Sequence, residues 1–238
     1  MFLLLSFWFG VGVVRWLGRI VVLQPRAIAD LPADVRARAR VVHQSVDLPE
    51  SRAAKVTEAF QVAAVAHVRA VKDPLLPAEA ARALPPSSRV RVVLAGGLLD
   101  ASMRKALDRE IATNPRFRWL GNVPHAATLD LLASSHLFVA SSRHEGGSNV
   151  VSEALALGLP ILATRIPGNV GMLGEDHPGL FAAGDAGALA RLLDRAERSK
   201  EFLAELEGCS RERAWTTDPE LERESWRAVL AELPEERP

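Results

Sequence analysis

Apolar and polar positions follow two rhythms along this chain: short apolar runs rich in β-branched residues, and longer stretches with apolar residues three or four apart. Residues 19–24 (RIVVLQ) read as a strand, with Pro25 in the first turn of a short helix reaching Leu31. Residues 40–43 give another short strand, and the polar stretch 46–51, with Pro49, reads as a linker. An apolar strand is predicted over 60–67 (FQVAAVAH), then a helix over 77–84 that Pro85 and Pro86 stop. Strand 89–94, the glycine turn Gly96-Gly97, helix 101–113 and strand 117–120 follow. Next come helix 126–133, strand 137–140, loop 141–147 and helix 149–157, capped by Gly158 before strand 160–163. Helices fill most of 187–206 and 220–233.

Such alternation, with near-continuous apolar strands, predicts an α/β fold: a Rossmann-like parallel sheet with helices on both faces. Ligands of these sheets sit at the carboxyl ends of the strands. Three loops therefore draw attention, after His67, after Leu94 and after Ala140.

Composition narrows the function classes. The 238 residues suit one full α/β domain and part of another, at roughly 100–200 residues per domain. Twenty-nine basic residues balance twenty-nine acidic ones, and no basic stripe carries interleaved aromatics, so nucleic acid is not an expected partner. The single cysteine, Cys209, excludes an internal disulfide and a cysteine metal cluster, and a cytoplasmic setting is expected. His125, His136 and His177 lack partners at metal-ligand spacing; no metal and no cofactor is expected. Residues 1–14 (MFLLLSFWFGVGVV) are uncharged but short of the roughly 20 needed to span a bilayer as a helix. A buried helix, a shifted start and a membrane anchor all remain open for this leader.

Residues 141–156 read SSRHEGGSNVVSEALA and carry the chemistry. If the helix begins near Ser148, Glu145 lies on the loop and Glu153 more than one turn inside, so two carboxylates address one elongated ligand. Gly146 and Gly147 remove side chains where a ligand approaches the backbone. Free N–H groups at the helix start favour a diphosphate. A carboxylate accepts two hydroxyl hydrogen bonds at once, which suits ribose and pyranose diols.

The E-x7-E spacing, with glycine after the first Glu, a strand before, a helix after, and then GLPILAT and IPGN, resembles the donor motif of retaining GT-B glycosyltransferases of the family 4-like, group 1 type. That resemblance implies the C-terminal, donor-binding domain of a GT-B enzyme. It assigns Glu145 to the donor sugar, the backbone from Gly146 through Gly147 and Ser148 to Asn149 to donor contacts, and Glu153 to the ribose. In AHVRAVKDP (66–74), Lys72 matches the family's diphosphate lysine. His67 stands where an Arg is usual: either Arg69 swings in as the second cation, or neutral His67 donates one hydrogen bond. Residues 117–123 (FRWLGNV) resemble the segment that holds the nucleobase, with Asn122 and Val123 as contacts. Arg143 orients the motif loop or is a surface charge, and Gly168-Asn169 is placed in a loop able to close on the donor.

Within the superfamily, phrases such as HVRAVKDPL, RWLGNVP and RIPGNVGMLGEDHPG resemble selenosugar synthases of selenoneine biosynthesis. The implied reaction moves the sugar of a UDP-sugar to selenophosphate; an alcohol acceptor, or a nucleotide-sugar-binding module without activity, is the alternative. The resemblance divides the chain into a leader (1–17), a remnant of the N-terminal domain and linker (18–58), the nucleotide-sugar-binding domain (59–218) and a C-terminal helix (219–238). Because acceptor binding in the family belongs to the N-terminal domain, this polypeptide alone is expected to bind donor and transfer poorly.

Overall fold

The computed structural model describes residues 18–49 and 53–233; the readings for the leader and the end of the linker lie outside them. The chain begins with β1 (Ile20–Val22), two short helices α1 (Arg26–Ala29) and α2 (Ala33–Arg36), and β2 (Ala39–Val41), which pairs parallel to β1. The main sheet takes β3 (Phe60–Val65), β4 (Val90–Ala95), β5 (Phe117–Trp119), β6 (Leu137–Ala140), β7 (Ile161–Thr164) and β8 (Leu180–Phe181). Between and after them run α3 (Leu76–Arg82), α4 (Arg104–Thr113), α5 (His125–Ser134), α6 (Asn149–Ala156), α7 (Pro167–Leu173), α8 (Ala186–Arg198), α9 (Lys200–Arg213) and α10 (Pro219–Ala231).

All six strands are parallel, in the order β5-β4-β3-β6-β7-β8. This is the doubly wound arrangement, and its switch point lies between β3 and β6. Period-two alternation sends Val62, Ala64, Val92, Leu94 and Val139 to one face, beneath α3, α8 and α9. Ala63, Val93, Phe138, Ile161 and Ala163 go to the other, beneath α5, α6 and α7. Burial on both faces is why these strands read as continuous apolar runs.

The small sheet joins the body from both sides of the sequence. Helix α10 returns to it, with Val229 and Trp226 against Val21 and Val42. Glu232 accepts from Arg19 Nε at 2.7 Å and from Arg40 at 2.7 and 2.9 Å.

Some elements differ from expectation. The stretch 187–206, expected to be mostly helical, holds α8 and the first half of α9, divided where Ser199 ends α8 and its Oγ accepts from Phe202 N–H at 3.1 Å to start α9. Gly168 and Asn169 are not in a loop but in α7, which Pro167 opens. Asn169 is fully buried and donates to Thr164 O and Oγ1, both at 3.0 Å, so it faces the fold rather than a ligand. No helix among the described residues is long and apolar enough to cross a membrane.

His177, between α7 and β8, is 5% exposed, and its Nδ1 accepts from Gly179 N–H at 3.1 Å. Burial, with Arg213 nearby adding repulsion, lowers its pKa from 6.5 to about 4. The unfolded chain therefore binds the extra proton between those values, and stability is complete above pH 6.5 and falls as the pH drops towards 4. Urea titrations are expected to lose about 3 kcal/mol over that window, and His177→Asn is expected to flatten the slope. An unchanged slope in the variant would count against His177 as its source.

Candidate functional site

A cavity of about 360 Å³ opens at the carboxyl ends of β3, β4 and β6, the three loops that the sequence singled out. Its wall includes His67 and Lys72 after β3, Gly96 after β4, Asn122 and Val123 after β5, and Ser142, Glu145, Ser148 and Glu153 after β6. The two glutamates that stand eight positions apart thus meet one space, from a loop and from inside α6.

Lys72 and Glu145 form an ion pair, with both side chains mostly buried. Glu145 Oε1 also accepts from Ser142 Oγ at 2.7 Å. Cross-links between two loops hold the pair in place. Ser141 Oγ lies 3.1 Å from Lys72 O and 2.8 Å from Asp73 O, Arg143 N–H donates to Val71 O at 2.8 Å, and the Arg143 guanidinium pairs with Asp73 at 2.7 Å. Asp73 takes a left-handed φ of 43° to end the 3-10 turn Ala70–Lys72 and return the chain towards α3. Arg143 is therefore a loop staple, outside the cavity wall.

Glu153 is 7% exposed. Its Oε1 lies 2.8 Å from His125 Nε2, while its Oε2 is buried with no hydrogen-bond partner. A buried carboxylate oxygen without a protein partner is an unused acceptor, and a hydroxyl that reached it would satisfy it.

His67 Nδ1 accepts from Gly97 N–H at 3.2 Å, so the proton of its neutral ring sits on Nε2, available as a donor. Gly96 takes φ 143°, and a Cβ there would lie 2.0 Å from Ala66 O, so only glycine lets this turn close on the end of β3. Gly96 N–H donates to Gly121 O at 2.8 Å and Gly96 O accepts from Trp119 Nε1 at 2.8 Å, which pins the Asn122-Val123 loop to the same turn. Ser148 is the N-cap of α6 and makes no side-chain cap bond.

Other expected contacts fall elsewhere. Arg69 is exposed and extended ahead of the 3-10 turn, outside the wall. Gly147 packs on Leu23, where a Cβ would lie 2.8 Å from Leu23 Cβ. Asn149 is exposed, and Gly146 belongs to a second cavity. That second space, about 380 Å³, lies between the small sheet and the body and is lined by Gln24, Asp30, His144, Glu145, Gly146 and Gly168. Glu145 is shared by both. His125 and Ser142 were not anticipated as site residues; His125 reaches Glu153 across 28 positions, whereas Ser142 stands three positions before Glu145 in the same loop. Among the described residues, no group of three or more His, Cys, Asp or Glu is arranged to hold a metal ion.

Comparisons with known proteins bear on the family and the fold. The family described as Glycosyl transferases group 1 matches residues 49–213. The putative teichuronic acid biosynthesis glycosyltransferase TuaC of Bacillus subtilis is 35% identical over 86 residues, covering 36% of this chain and 22% of that protein. Glycosyltransferase 1 domain-containing protein 1 of Xenopus tropicalis is 29% identical over 115 residues, 48% of this chain and 33% of its own length. The matches thus span a third or less of these relatives. Among solved structures, HepE of Anabaena in complex with UDP and glucose superposes with a TM-score of 0.76 at 16% identity, over 94% of this chain and 68% of that one. TarM of S. aureus, in complex with fondaparinux, α-GlcNAc-glycerol and UDP, gives a TM-score of 0.73 at 16% identity, over 92% and 45%. At such identities these two establish the fold, a parallel α/β sheet of the GT-B kind.

Proposed function

The chain belongs to the Glycosyl transferases group 1 family, and on that premise we propose that its cavity binds a UDP-sugar and serves glycosyl transfer with retention. One observation carries the reading: Glu145, Glu153 and Lys72 line a single space at the switch point, and Glu153 keeps a buried oxygen without a partner. In this reading the nucleobase lies by Asn122 and Val123, the ribose diol meets Glu153, and the sugar reaches Glu145. The diphosphate sits between the start of α6 and Lys72, with His67 Nε2–H beside it. Breaking the bond from the anomeric carbon to the diphosphate leaves the electron pair on phosphate oxygen. Lys72 and the helix N–H groups answer that charge without a metal, and the acceptor attacks the face the leaving group vacates, an alcohol passing its proton to the departing diphosphate oxygen. The HepE and TarM complexes with UDP lend support from the fold.

For the acceptor, the resemblance of HVRAVKDPL and RIPGNVGMLGEDHPG favours selenophosphate and a selenosugar product of selenoneine biosynthesis. The second cavity favours another reading. Gln24, Asp30 and Glu145 line it, and such an acceptor-rich wall takes hydroxyl hydrogen bonds, which suits an alcohol. Incubating the protein with UDP-glucose or UDP-N-acetylglucosamine and either selenophosphate or a polyol separates the two by the product formed.

Calorimetric titration with UDP and uridine tests the donor site itself. Lys72→Ala is expected to weaken UDP about 10-fold as a charge-assisted contact disappears, with uridine nearly unchanged. Equal losses for both ligands would reject the diphosphate role, and no UDP binding by the wild type would reject the site.

A further inference from the structure

His125 opens α5 directly after Pro124, and its side chain is 67% exposed, yet its Nε2 ends 2.8 Å from a carboxylate that is 9% exposed. Both residues line the main cavity. A carboxylate oxygen only accepts, so the ring presents Nε2–H to Glu153 Oε1. The terminal torsion of a glutamate is broad and roughly two-fold, so an unrestrained carboxylate turns freely about it. Here one oxygen is held and the other has no partner. Thr128, one turn further along α5, also lines the cavity and is buried, so the start of this helix is part of the wall rather than a free surface.

We propose that His125 is a positioning residue that fixes the Glu153 carboxylate for a vicinal diol, and so makes the site select nucleoside diphosphates of ribose over those of 2-deoxyribose. The held oxygen keeps one acceptor direction for the first hydroxyl, and the unpartnered oxygen takes the second. Without the imidazole the carboxylate samples other planes, and the advantage of two hydroxyls over one shrinks. This inference rests on the donor-site reading above and goes beyond it in naming what sets the sugar preference of the nucleotide.

The test is calorimetric titration of the full chain with UDP and with 2′-deoxyuridine diphosphate, for wild type, His125→Ala and His125→Gln. The wild type is expected to prefer UDP. His125→Ala is expected to weaken UDP about 5–10-fold and to change the deoxy ligand far less, so that the preference narrows. His125→Gln, whose amide N–H also donates, is expected to restore most of it. Equal weakening of both ligands in His125→Ala would mean a purely structural role and overturn the inference. Tighter UDP binding in His125→Ala would overturn it too, since the ring would then be a cover that ribose must displace. A wild type that binds UDP without discriminating the deoxy ligand overturns this inference alone, whereas one that binds neither overturns the donor-site reading with it.

Discussion

Replacing Glu153 by alanine is expected to weaken UDP binding roughly 10–150-fold while leaving the empty protein as stable as before, or more so. The two effects diverge because the side chain serves the ligand rather than the fold. Its Oε2 is buried and unpartnered, so the empty protein carries an unmet acceptor that alanine removes. Alanine is also the better helix former at this interior position of α6. The methylenes lost leave a small void and offset part of that gain. His125, which meets Glu153 Oε1, is mostly exposed and finds water instead. Thermal melts and UDP titration on the same preparation check both halves. A variant that melts early and binds UDP normally would identify Glu153 as structural.

Gly168→Ala carries the second large effect, through the backbone. A Cβ at Gly168 would lie 2.2 Å from the carbonyl oxygen of Glu145 and 2.7 Å from its carbonyl carbon. Both are main-chain atoms that no rotamer change moves, so α7 or the motif loop must shift. A cost of about 3 kcal/mol is expected for such overpacking. The shift displaces Glu145 from Lys72 and Ser142, so affinity for a UDP-sugar falls as well. Gly146→Ala is the control, since a Cβ there meets nothing within 4 Å. It is expected to melt like the wild type. Denaturant unfolding of the two variants side by side decides the matter, and equal stabilities would remove the close approach as an explanation.

Much of this was legible in the sequence because the information is local. Apolar runs marked β3, β4, β6 and β7, with Gly or Pro bounding β4 and β7, and their shared direction followed from the intervening helices. Once the loop after Ala140 was taken to enter a helix near Ser148, the spacing of Glu145 and Glu153 gave their two depths. What escaped depends on contacts between distant segments. Gly168 and Gly171 lower helix propensity across α7, so that helix read as a loop; it forms because Asn169 is tied to Thr164 and Gly168 fits against Glu145. The partnership of His125 with Glu153 crosses 28 positions and leaves no periodic mark. Lys72 was read as a cation awaiting phosphate, and nothing in its neighbours along the chain announced that Glu145 would hold it first.

The small sheet of β1 and β2 is held to the body at several places: by the chain running from β2 to β3, by α10 through Glu232 to Arg19 and Arg40, by the Arg26–Glu175 ion pair, and by Leu23 packed on Gly147. Gln24 and Asp30 belong to the small-sheet side of the second cavity and Glu145 to the body, so these joints together fix the width of the gap between them.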